Sequence, residues 1–301
     1  MERGAIDVQR LRELAWFGIP EKRRGLLWPV LLDVLSPLLS EHPQQIAQRR
    51  KTYVSALSIP ISPLLSPETL SPPFTSLTRT NKQIEKDVKR INTLASGKDA
   101  SETYVRAMGV FAKTRPVVGY VQGMCEIFKV FHDVLTETYP PDEAEALSYF
   151  CFSKLLVQVL DCFSTGQQGV ERAIEEIEAL LHVYASRLML HFSGIGLEVK
   201  YFAYNWMSTF LFREFSAYKQ VMDAHFSLGW GSFVPFNIAF SAALVFFLKD
   251  SLEEAGFEHA LHTLQHVSER AWTPQELERL LAIAYVIFSK GQLPQSGGTL
   301  K

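Results

Sequence analysis

The sequence predicts an all-α protein, on three observations. Apolar residues recur at three- and four-residue spacing through most of the chain, the mark of amphipathic helices. Proline and glycine punctuate those stretches, at Gly18-Ile19-Pro20, Pro116 and Pro140-Pro141. No segment alternates apolar and polar residues over a strand's length, and no unit repeats at a fixed period.

Taken in order, Leu11, Leu14 and Ala15 form the first stripe, which ends before Gly18. Leu27, Val30, Leu31 and Val34 carry a second helix over 21–35. Between Ser58 and Ser76 prolines crowd together (Pro60, Pro63, Pro67, Pro72, Pro73), which excludes regular helix and predicts a loop at 58–76. Ile84, Val88 and Ile91, at i, i+4 and i+7, predict a helix over 81–94. Asp99 and Glu102 form a capping-box pattern for the next helix, which reaches Lys113 before Pro116 blocks it.

A glycine-bracketed turn follows, Gly119-Tyr120-Val121-Gln122-Gly123, and then an apolar helix over 124–135. Further helices are expected over 142–161, 169–190, 198–214, 216–227, 234–248, 257–269 and 274–289. The whole reads as a single domain over 1–295 made of two packed helical halves, about 1–160 and 161–295. A disordered tail is expected at 296–301.

Composition bounds the function. The chain has 301 residues, 47% of them hydrophobic and 12% aromatic, enough for a substantial core and against disorder for most of its length. A net charge near −2 argues against a nucleic-acid binder held by bulk electrostatics. Cys125, Cys151 and Cys162 are odd in number and form no CxxC pair, so they read as reduced, mostly buried thiols of a cytoplasmic protein. The start MERGAIDVQRLRELAW lacks the apolar core of a secretory signal. Residues 233–248 are interrupted by Pro235 and Asn237 and fall short of the roughly 20 apolar residues of a membrane span, so they predict a buried helix.

Several chemistries find little support. His259, His262 and His266 share one helical face near Glu258, but one helix seldom encloses a tetrahedral zinc and no HExxH is present, so no metal is expected. No GxSxG elbow, phosphate-binding GxxxxGK[ST] or GxGxxG occurs, and TGQQG at 165–169 is only a turn; no bound nucleotide or cofactor is expected. Asp87 and Arg90, three apart, can touch on one helical face. They are either an exposed ion pair or a carboxylate aiming a guanidinium, the group best suited to grip phosphate oxygens. Gln122 either satisfies its own turn or presents an amide to a partner that the flanking glycines allow to come close.

In sequence order these pieces resemble the TBC domain, the Rab GTPase-activating domain. Gly18-Ile19-Pro20, Arg24 and Trp28 are similar to its opening motif. Ile84, Asp87 and Arg90 match IxxDxxR, and Tyr120, Gln122 and Gly123 match YxQG. Downstream, Tyr204 and Trp206 precede Arg213-Glu214-Phe215 much as an aromatic-rich helix precedes an REF-like triplet in the family.

The resemblance implies a dual-finger mechanism. Arg90 would be the arginine finger and Gln122 the glutamine finger, both delivered to a GTP-bound Rab-family GTPase that itself holds GTP and Mg²⁺. Asp87, Tyr120 and Gly123 would support them. The chain would then be an activator supplying catalytic residues in trans rather than an enzyme with its own nucleotide site. It would act in vesicle trafficking as a cytoplasmic protein, peripheral on endomembranes through its partner. The chain departs from the family pattern at Ile91-Asn92, at Cys125-Glu126, at Asn205 and at Met222-Asp223. Two other readings stand beside this one: a TBC-like scaffold that binds without accelerating hydrolysis, and an unrelated helical enzyme using the histidine-rich helix.

Overall fold

Helical periodicity carries through to the computed structural model, which describes residues 4–58, 77–93, 100–164 and 166–291. Among them are fifteen α-helices and no strand, so the all-α class holds. One isolated antiparallel bridge pairs Ala5 with Leu38. The chain divides into two compact units, Met1–Ser164 and Thr165–Lys301.

The first unit holds α1 (Val8–Ala15), α2 (Glu21–Leu31), α3 (His42–Leu57), α4 (Leu77–Thr93), α5 (Ser101–Thr114), α6 (Met124–Leu135) and α7 (Pro141–Gln158). Its core is aromatic: Trp28, Phe111, Phe128, Phe131 and Phe152 are all less than 2% exposed. Trp28 meets Phe131 edge-on at 6.1 Å, and Phe111 meets Phe152 edge-on at 5.1 Å, the edge-to-face geometry that ring quadrupoles favour. Gly25 in α2 is required by close packing, since a Cβ there would stand 2.1 Å from Thr138 Oγ1.

Three helices of this unit are locked by one buried carboxylate. Glu145 of α7 accepts from Tyr53 of α3 at 2.7 Å and from both Nε and Nη2 of Arg106 of α5, at 2.6 and 2.5 Å. Nothing in the periodicity of residues 36–57 singles out α3. Only His42, Ile46 and Tyr53 of that helix are buried, too sparse a stripe to read. It is held by long-range contacts, among them Tyr53 with Glu145 and Tyr149, and Arg50 with Asp142.

The second unit holds α8 (Gln168–Tyr184), α9 (Ser186–Ile195), α10 (Lys200–Thr209), α11 (Tyr218–Ser227), α12 (Phe233–Phe247), α13 (Lys249–Leu252), α14 (Phe257–Gln265) and α15 (Pro274–Gly291). As expected, the apolar stretch at 233–248 is a buried helix, α12, which packs against α8 and α15. No described helix is long and apolar enough to cross a membrane.

Several expected bounds need correction: α2, α7 and α14 end at Leu31, Gln158 and Gln265 rather than at 35, 161 and 269, and two longer helices are cut. The continuous helix over 169–190 is broken at Ala185, where φ −140° and ψ 41° leave the helical region and let α9 start in a new direction. The helix over 198–214 stops at Thr209, because Phe210 and Leu211 adopt φ of 51° and 62°. Both are buried, so packing of their side chains holds this otherwise disfavoured backbone. The loop at 58–76 beyond Ser58, the capping residue Asp99 and the tail at 296–301 lie outside the described residues. The helix after Asp99 starts at Ser101, with Ala100 at the N-cap and no side-chain cap.

Candidate functional site

The site begins with the two faces of α4. Ile84, Val88 and Ile91 are at most 2% exposed and form the buried stripe. Asp87 sits on the flank of that stripe with its side chain 8% exposed. Arg90, a further 60° round the helix on ideal geometry, has its side chain 59% exposed. Nη1 of Arg90 lies 3.3 Å from Asp87 Oδ1. A buried carboxylate therefore stands beside an outward guanidinium.

The second element is the connection from α5 to α6. Arg115 O accepts from the N–H of Val118 and of Gly119, at 3.1 and 2.9 Å, and closes the end of α5. Tyr120 then turns inward and is 9% exposed. Met124 N–H donates to Val121 O at 3.2 Å, which puts Gln122 and Gly123 at the corner of a hydrogen-bonded turn. Gly123 has φ 99° and ψ −21°, close to the third position of a type II turn, where glycine alone is at ease. The turn is thus closed by its own backbone and by this glycine. Gln122 is exposed, and its amide makes no hydrogen bond to any described residue. It does not satisfy its own turn; it is turned outward.

One long-range bond joins the two elements. Tyr120 Oη donates to Asp87 Oδ2 at 3.0 Å, across 33 residues of sequence. Asp87 thus uses one oxygen toward Arg90 and the other toward the tyrosine that precedes Gln122 by two residues. The same Oη lies 3.1 Å from Sγ of Cys125, the second residue of α6. Burial holds the Tyr120 hydroxyl well above its usual range and pushes the Cys125 thiol up as well, so both groups keep their protons. Asp87, Arg90, Tyr120, Gln122 and Gly123 are brought into one neighbourhood. Cys125 belongs with them; the sequence marked it as a buried thiol and as a departure from the family pattern, with no link to Tyr120.

The remaining candidates fall elsewhere. Cys125, Cys151 and Cys162 are free and buried. His262 and His266 of the histidine-rich segment stack at 4.1 Å, but no group of three potential ligands converges among the described residues. Of the downstream motif, Trp206 is buried and donates to Leu264 O at 3.2 Å, and Glu214 accepts from Thr209 at 2.8 Å; both act in the core of the second unit.

The sequence profile of the RabGAP-TBC family, described as the Rab-GTPase-TBC domain, matches residues 21–252. The chain belongs to this family. Membership displaces the reading of an unrelated helical enzyme. Similar proteins include the GTPase-activating protein gyp1 of Schizosaccharomyces pombe, 26% identical over 93% of this chain and 58% of its own length. TBC1 domain family member 22A of Mus musculus is 27% identical over 93% of this chain and 57% of its own. The chain therefore spans less than three-fifths of these relatives. Among solved structures, the Ypt/Rab-GAP domain of Gyp1p superposes with a TM-score of 0.85 at 26% identity, over 97% of this chain and 95% of that one. The Chlamydomonas flagellar RabGAP TBC domain, at 17% identity, shares the fold with a TM-score of 0.65 over 92% of this chain and 84% of that one. The TBC match covers all of α4 and the whole α5–α6 connection, so both candidate motifs lie inside it.

Proposed function

We propose that this TBC domain accelerates GTP hydrolysis by a GTP-bound Rab-family GTPase, delivering Arg90 and Gln122 in trans. The observation that carries the reading is the Tyr120–Asp87 bond. It ties the helix of Arg90 to the turn of Gln122, while both of those side chains stay exposed on buried supports.

The chemistry follows from residue type. Phosphoryl transfer spreads negative charge over oxygens, and a permanently charged, planar guanidinium stabilises that charge as it develops. A carboxamide both donates and accepts, so Gln122 can orient an attacking water and bond a phosphate oxygen at once. Asp87 keeps the guanidinium from swinging freely, which lowers the entropy lost when it enters the partner's site. GTP and Mg²⁺ belong to the partner. The activator therefore acts at membranes wherever the GTPase resides, without a nucleotide site of its own.

Single-turnover GTP hydrolysis by a panel of Rab GTPases tests the reading. Wild-type protein should accelerate at least one of them, and Arg90→Ala and Gln122→Ala should each abolish that acceleration while the circular dichroism stays unchanged. Binding to GTP-loaded Rab with no acceleration anywhere in the panel would replace the proposal with a catalytically inactive scaffold.

A further inference from the structure

We infer that Cys125 is a positioning residue for the arginine finger, acting through Tyr120 and Asp87; the inference rests on the activity proposed above. The distances allow the hydroxyl to donate to either neighbour, and the charge on Asp87 selects one arrangement of protons. Tyr120 Oη lies 3.0 Å from Asp87 Oδ2 and 3.1 Å from Cys125 Sγ, and its hydroxyl carries a single hydrogen. An ionised carboxylate only accepts, so that hydrogen must point at Asp87; turned to sulfur, it would set the hydroxyl lone pairs against the carboxylate. The thiol, 1% exposed and fully protonated, then donates its S–H to the tyrosine oxygen.

The result is a directed chain, Cys125 S–H to Tyr120 O–H to Asp87 Oδ2, with Asp87 Oδ1 facing the Arg90 guanidinium at 3.3 Å. Each donor polarises the next, so the thiol both strengthens the tyrosine's bond and closes off the hydroxyl's alternative rotamer. Cys125 sits in the first turn of α6, two residues past Gly123, so the chain anchors α4 to the same turn that presents Gln122. Without the thiol the hydroxyl rotor gains freedom, Asp87 is held less firmly, and Arg90 arrives in more orientations.

The test has two arms. In the first, single-turnover hydrolysis is measured across activator concentrations for wild type, Cys125→Ala and Cys125→Ser, with melting temperatures alongside. Loss of one weak hydrogen bond predicts a saturating rate roughly 3- to 10-fold lower for Cys125→Ala, with the half-saturating concentration within about twofold of wild type. Cys125→Ser, which keeps a donor, should restore the rate to within about twofold. Equal rates for all three proteins, or equal losses in both variants, would overturn the inference, the second outcome marking a packing role. In the second arm, the infrared S–H stretch of the whole chain, assigned by its loss in Cys125→Ala, should shift in Tyr120→Phe. An unshifted band would overturn the hydrogen bond whatever the kinetics. A wild-type protein that activates no GTPase would overturn the proposed function, and that outcome differs from every result that separates Cys125→Ala from Cys125→Ser.

Discussion

In the first unit the buried Asp87 carboxylate takes a hydrogen bond from Tyr120 and leads outward to a guanidinium at the surface. In the second unit the His225 imidazole is enclosed completely. Its Nδ1 donates to Val221 O at 2.8 Å, its ring meets Phe233 and Phe236, and Asn237 of α12 is its polar side-chain neighbour. Both clusters are polar and buried, yet one directs a charge and the other only bears a cost. The difference is an exit to solvent. A buried carboxylate bonded on one side and paired on the other can aim an exposed side chain. An enclosed imidazole can only be kept neutral, and burial pushes its pKa from 6.5 down to about 4.

The largest expected effect strikes the outward end of the first cluster. Arg90→Ala should lower the accelerated single-turnover rate by ~10³–10⁵-fold, about 4–7 kcal/mol of barrier, without moving the melting temperature. Arg90→Lys should recover little, since an ammonium lacks the planar fork. Gln122→Ala comes next, at ~10²–10³-fold in the same assay, the usual loss for one positioned transition-state donor. A large drop in melting temperature for either variant would break the comparison, because it would make these residues part of the scaffold.

The enclosed cluster should show itself in stability alone. His225 has a folded pKa of about 4 against an ordinary 6.5, so the unfolded chain takes up the proton first. Its contribution is full above the unfolded value and is lost as pH falls through that window toward about 4. The total is about 3 kcal/mol. Urea unfolding followed from neutral pH down to about pH 4 should show that loss, and His225→Leu should flatten it relative to wild type.

Two smaller effects sharpen the contrast inside the first unit. Glu145→Ala removes the acceptor shared by Tyr53 and Arg106 and should cost roughly 2–3 kcal/mol. That is below the full cost of breaking an enclosed ion pair, because the Arg106 side chain is 40% exposed. Chemical denaturation should register it, and the activity per folded molecule should not change. Tyr120→Phe should do the reverse, slowing saturated hydrolysis roughly 10-fold for about 1 kcal/mol of stability.

Much of the fold is legible in local pattern. Helix α6 has the bounds that its apolar run and flanking Gly123 predict, because a helix start needs only a nearby turn and a periodic face. Helix α3 is not legible, since its stripe has too few members, and neither is the break at Ala185, where the apolar pattern runs on while the backbone turns. The candidate site divides the same way. Arg90 beside Asp87 follows from a three-residue spacing, whereas the sequence left open whether Gln122 closes its own turn or faces outward, and the structure shows it exposed.

By itself the sequence determined the helical class, most of the helices and the TBC motifs, and it is the resemblance of those motifs to the family that nominates Arg90 and Gln122 as fingers. Each of these rests on residues within a few positions of one another, where backbone geometry sets the relation. Only the tertiary structure decided that Tyr120 reaches Asp87, that Cys125 stands behind Tyr120, that Glu145 gathers Tyr53 and Arg106, and that His225 is sealed away. Except for the five-residue link from Tyr120 to Cys125, these relations join side chains on separate elements or depend on what surrounds them. Packing sets them, through which faces meet and how deeply each is buried, and no periodicity along the chain encodes that.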